Sequence, residues 1–156
     1  MKNQSGVHVL QFIVAIFTIC HLPVAFTTDY PPRVTEIIQK AKIECSDFEG
    51  GEVHVGQQAI TYHDLTNDGQ PEAIVDAAEF SCSTAASLWG GSGGTYLWII
   101  VEGQSYEYLA HKWRIVDVDG QQVLLLAVHF SACGESVGPC YRALVWNKGF
   151  HSADGS

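Results

Sequence analysis

Residues 95 to 130, "TYLWIIVEGQSYEYLAHKWRIVDVDGQQVLLLAVHF", decide the fold. Four runs rich in β-branched and aromatic residues, TYLWIIVE, SYEYLAH, WRIVDV and QQVLLLAVHF, follow one another with turn residues between them, a pattern that predicts consecutive strands. Asp119-Gly120 divides the last two and is a strong hairpin signal, since such a pair tolerates the backbone of a tight two-residue turn. EVHV (52–55), AITYHDL (59–65) and EAIVDA (72–77) before the stretch, and RALVWN (142–147) after it, carry the same short period. Only near the start is the period helical: Pro31 and Pro32 precede Val34, Ile37, Ile38 and Ala41, an i, i+3, i+4, i+7 stripe suited to packing on a sheet. The expectation is an α+β domain, a mainly antiparallel β-sheet with one N-terminal helix packed on it and disulfides to stabilise it.

Domain limits follow from composition. Lys2 is the single Lys, Arg, Asp or Glu of the first 27 residues, an apolar run follows it, and Ala25-Phe26-Thr27 is a small-x-small pattern, so residues 1–27 read as a cleaved signal peptide. An uncleaved anchor from Val7 to Phe26 is the alternative, although His8, Gln11 and His21 interrupt it; bulky Ile19 disfavours a lipidated Cys20. Residues 28–150 form one exported domain, and 151–156 read as a frayed, disordered tail. Taking 27 residues from 156 leaves 129, with seven Lys and Arg against seventeen Asp and Glu, a net charge of minus ten. So acidic a domain lacks the basic footprint that nucleic acid requires. A cationic protein or a metal ion is the easier partner, and no stable membrane span is expected once the signal is cleaved.

Four cysteines remain after processing, and an even count in an exported chain favours disulfides. Of three possible connectivities the reading favours Cys133 with Cys140, across GESVGP, and Cys45 with Cys82, tying the helix end to the sheet. Cys133 as a nucleophile or zinc ligand beside His129 is the competing reading.

Between two of the strands lies "DLTNDGQPEAIVD", residues 64 to 76. Asp64, Thr66, Asp68, the Gln70 carbonyl and Glu72 supply hard oxygen donors, which suit calcium better than zinc or copper. The stretch is not an EF-hand, because Val75 stands where the bidentate Glu would be needed. It resembles the calcium loop of the FG-GAP and VCBS repeats, Asp-x-Asn/Asp/Thr-x-Asp-Gly-x-x-Asp before an apolar strand, with Glu72 in the place of the last Asp. A wider resemblance, carried by Cys45, DLTNDGQPE, CSTAASLWGGSGG, VHFSACGESVGPC and VWNKGF, is to small uncharacterised exported bacterial proteins of alphaproteobacterial type. It implies a periplasmic or secreted, disulfide-bearing domain and no particular activity.

Gly90-Gly91-Ser92-Gly93-Gly94 matches G-x-S-x-G, with Asp117, Asp119, His129 and His151 following in hydrolase order. The context argues against it, because a nucleophile elbow needs a helix after the serine and TYLWIIVEG reads as strand. No catalytic residue is therefore assigned. His129, on an apolar strand, reads first as a hydrogen-bonded core or edge histidine. Trp89, Tyr96, Trp98, Tyr106, Tyr108, Trp113 and Trp146 read as core, with an exposed contact patch or a sugar platform as the alternative. The function expected is a non-catalytic exported binding module with a structural calcium loop, binding or inhibiting a cationic protein. The alternative is a small secreted hydrolase using Ser92 or a carboxylate with His129.

Overall fold

The computed structural model of the protein describes residues 30–134 and 136–153; the signal-peptide segment 1–27 and the last three residues of the expected tail lie outside the described residues. One α-helix, α1 (Pro32–Asp47), opens the fold. Pro32 sits in its first turn, where a missing N–H costs nothing and the fixed φ is already helical. Its buried stripe is Val34, Ile38, Ala41 and Cys45, one turn longer than the expected stripe, while Ile37 is only half-buried.

Eleven strands follow among the described residues: β1 (Val53–Val55), β2 (Ile60–His63), β3 (Glu72–Asp76), β4 (Phe80–Cys82), β5 (Gly90–Gly91), β6 (Gly94–Val101), β7 (Gln104–Ala110), β8 (Lys112–Val118), β9 (Gln121–Val128), β10 (Cys140–Trp146) and β11 (Phe150–Ser152). All their pairings are antiparallel. One sheet runs β2-β3-β6, with β5 on the same side of β6 as β3 and β7 on the other; a second runs β11-β10-β9-β8, and β1 and β4 form a separate ribbon.

Strand alternation then generates two cores. On β3, Ala73 and Val75 pack toward α1 while Ile74 packs toward the second sheet; on β6, Trp98 and Ile100 take the first direction and Leu97, Ile99 and Val101 the second. The first sheet is thus covered on both faces, by α1 on one and by the β8–β11 sheet on the other. Strands covered on both faces lose polar alternation. That is why EAIVD is buried at four consecutive positions.

Cys45–Cys82 and Cys133–Cys140 are both bonded, the pairing favoured from sequence. The first joins the last turn of α1 to β4, and a Cβ on Gly51 would collide there with Thr84 Oγ1, Cys82 Sγ and the Cys45 carbonyl, so the crossing needs glycine. Gly94 is bound the same way: its φ is +107° and any side chain would meet the backbone of Ala110. The C-terminal reading requires a correction. His151 and Ser152 are not a frayed tail but pair with Val145 and Leu144, and Ala153 N–H donates to the Ala143 carbonyl at 2.8 Å, because β10 would otherwise present an unpaired edge there.

Candidate functional site

The acidic turn between β2 and β3 closes on itself. Asp64 accepts hydrogen bonds from the Asp68 and Gly69 amides at 3.2 and 2.9 Å, and Asp68 accepts from the Gln70 amide at 2.7 Å. Glu72 points elsewhere, accepting from the Leu65 and Thr66 amides at 2.6 and 3.2 Å and from the Thr66 hydroxyl at 3.4 Å. It is 7% exposed. Burial raises its pKa above the ordinary carboxyl range, the two amide bonds pull it down, and the negative charges of Asp68 and Asp64 raise it further. Asn67 Nδ2 donates to the Gly120 carbonyl at 3.1 Å, fastening the turn to the β8–β9 hairpin. Gln70 is exposed. Among the described residues no group of three or more His, Cys, Asp or Glu is gathered in a way that could hold a metal.

The hydrolase candidates come only part of the way together. Ser92 lies in the turn between β5 and β6, a hairpin rather than a strand-to-helix elbow, and it lines the same recess as His129. Yet His129 Nδ1 is 2.7 Å from the Ser131 hydroxyl and also accepts from the Ser131 amide, and no hydrogen bond joins it to Ser92 among the described residues. Asp117 accepts from the Gly120 amide and from Gln122 Nε2, and His151 Nε2 is 3.1 Å from the Asn147 carbonyl. These side chains fasten turns. Cys133, disulfide-bonded, has no thiol to offer.

A groove of about 590 Å³ lies between α1 and the first sheet. Its floor is made by alternate residues of β6: Tyr96 and Trp98 stack with ring centroids 5.4 Å apart and planes 20° apart, and Phe80 also stacks on Trp98, with centroids 6.5 Å apart. Both aromatic residues are half-buried, so their faces are only partly spent on the core. Three carboxylates ring the floor, with the cations Arg33 and Lys40 among them. Trp98 Nε1 donates to Glu107 at 2.7 Å, Trp89 Nε1 donates to Glu44 at 2.9 Å, and Glu36 pairs with Arg33 on the exposed face of α1 at 2.6 Å. An indole N–H fixes one oxygen of Glu44 and of Glu107, leaving each carboxylate with acceptor capacity toward the groove. Lys40 stands 3.7 Å from Glu44, an exposed pair of small energetic weight.

Charge is divided between the layers in the same sense. From residue 30 to 110, the helix and the sheet beneath it, there are twelve Asp and Glu against three Lys and Arg. From residue 111 to 156, the stretch that carries the β8–β11 sheet, four Lys and Arg stand against four Asp and Glu. Sequence reasoning listed the aromatic residues but missed Glu36, Glu44 and Glu107 as a set. Their separation along the chain, from α1 to β7, gives no local signal. Comparison with protein-family models, with curated proteins and with solved structures finds no match for the chain.

Proposed function

We propose that the protein is a non-catalytic exported binding module whose acidic helix–sheet groove takes a cationic segment of a protein partner and, on an enzyme, inhibits it. The observation that supports this most is the stacked Tyr96–Trp98 pair ringed by Glu36, Glu44 and Glu107. A Lys or Arg laid on that floor gains the attraction of the ring faces, about 0.5–2 kcal/mol, and a charge-assisted hydrogen bond to a carboxylate already held in place. The two disulfides are consistent with an oxidising compartment, and no helix of the described residues is long and apolar enough to cross a membrane. Periplasmic or secreted placement belongs to the same proposal.

Tryptophan-emission titration with Arg-rich peptides tests it. Binding is expected at low salt, weakened by moderate salt and weakened about tenfold by Glu107→Gln, the equivalent of about 1.4 kcal/mol. Glu49→Gln, which changes the net charge equally outside the groove, is expected to have little effect. Equal losses from both variants, or no binding at low salt, would reduce the groove to general acidity.

Calcium held by the Asp64–Glu72 turn remains part of the proposal, with a competing account in the hydrogen bonds already present. The donors are of the right kind, but Asp64 and Asp68 hold amides of the turn and Glu72 holds those of Leu65 and Thr66. Thermal unfolding in excess calcium and in chelator, with Asp64→Ala beside it, separates the two. An ion at a hundred times its dissociation constant adds about 2.7 kcal/mol. A clasp of hydrogen bonds alone leaves the native midpoint indifferent to chelator, while Asp64→Ala still loses about 1–2 kcal/mol through its orphaned amides.

A further inference from the structure

The register of β10 places a cation where a core residue belongs. Cys140 and Leu144 are 4% and 3% exposed and belong to the core between the two sheets. Arg142 lies midway between them, paired across the ladder with Leu126, itself 1% exposed, so the strand's alternation puts Arg142 on that same inner face. It is nonetheless exposed, because the sandwich is open there to a recess of about 560 Å³. Among the described residues Arg142 has neither a side-chain hydrogen bond nor an ion-pair partner, unlike Arg33 on α1.

Around Arg142 the recess has two kinds of wall. Leu126 and Val128 form an apolar floor and Leu109, 45% exposed, an apolar side; Ser92, Ser131 and Tyr108 add hydroxyl groups. Burial pushes the Tyr108 phenol up to about 12, with the nearby Arg142 charge acting against that rise, so at neutral pH the hydroxyl keeps its proton and can donate. One acidic group, Glu107, stands at the rim, and one of its oxygens is taken by Trp98 Nε1 on the helix side. Together with the net negative charge of the whole chain, that carboxylate penalises a doubly charged ligand more than a singly charged one.

We propose that this recess is a binding site for a small organic monocarboxylate, its acid group on the Arg142 guanidinium and its apolar body on Leu126, Val128 and Leu109. A guanidinium without a partner among the described residues presents the planar fork that matches a carboxylate, and the recess combines the size of a small-molecule site with an apolar floor. This site differs in chemistry from the groove that receives cations, and Glu107 is common to the rims of both.

Isothermal titration of the purified protein with hexanoate, octanoate and decanoate tests the assignment, with octanol as the uncharged control and octyl phosphate as the dianionic one. Saturable binding is expected, tightening about three- to fourfold for each methylene buried, with octanol at least tenfold weaker. Arg142→Gln is expected to lose at least tenfold and Arg142→Lys to recover part of it; because the side chain is exposed, both variants should keep the native unfolding midpoint, which is measured alongside. Absence of saturation by any of the carboxylates at millimolar concentration would overturn the proposal. So would equal binding of octanol, equal binding by Arg142→Gln, or tighter binding of octyl phosphate than of octanoate.

Discussion

Ile99→Ala is expected to lower the unfolding free energy by about 3–5 kcal/mol, enough to shift the thermal midpoint by ten degrees or more in a domain of this size. Ile99 is completely buried in the middle of β6, on the face that meets the second sheet. Its ladder partners are Ile74 on one side, held in turn by β2, and Tyr106 on the other, held by its edge-on ring contacts with Trp146 and Phe150. With neighbours fixed on both flanks the hole left by three carbon atoms cannot collapse, so a cavity cost adds to the lost transfer energy. Val118→Ala, at a position 53% exposed, is expected to change stability by about 0.5 kcal/mol or less. Urea unfolding of the two variants measures the contrast; equal effects would mean that the sheets do not meet at Ile99.

Loss of the Cys45–Cys82 bond is expected to be comparable. The bond closes a sequence separation of 37 residues, for which chain entropy alone gives about 4 kcal/mol, whereas the seven-residue separation of Cys133–Cys140 gives about 2 kcal/mol. Burial works in the same direction. Cys45 is wholly buried and Cys82 is 9% exposed, packed with Val34, Ala41 and Phe80, so Cys45→Ala/Cys82→Ala also loosens the contact of α1 with the sheet. Cys133 is exposed on a short turn. The double alanine variants compared by denaturant midpoint should rank in that order; a larger loss at Cys133–Cys140 would contradict the account.

The parts of this fold that were legible in the sequence share one property: their partners lie close by in the chain. The β6 to β9 meander is of this kind, each strand pairing with the next or bending into it, and Asp119-Gly120 does turn β8 into β9. The stripe on α1 was legible because a helix carries its own period. By contrast β4 and β11 have three residues each and β5 two, too few for an alternation to register, and β4 is paired with β1 nearly thirty residues earlier. Glu72 shows a second limit. Spacing offered it as an oxygen of an ion loop, but spacing does not announce the hydrogen bonds that its carboxylate accepts from the Leu65 and Thr66 amides. The groove was half visible, since alternating aromatic residues on β6 could be read, whereas carboxylates brought from α1 and β7 could not.

The uneven distribution of charge between the layers has an effect that begins before any contact. A helix-side half with a nine-unit acidic excess, joined to a half whose charges balance, is a permanent electric dipole as well as a net anion. In the field of a cationic body such a molecule experiences a torque, and it rotates its helix side forward while still several ångströms away, within the reach that about 8 Å of screening at physiological salt allows. Diffusional encounters then sample a fraction of all orientations, and association accelerates by way of the approach itself.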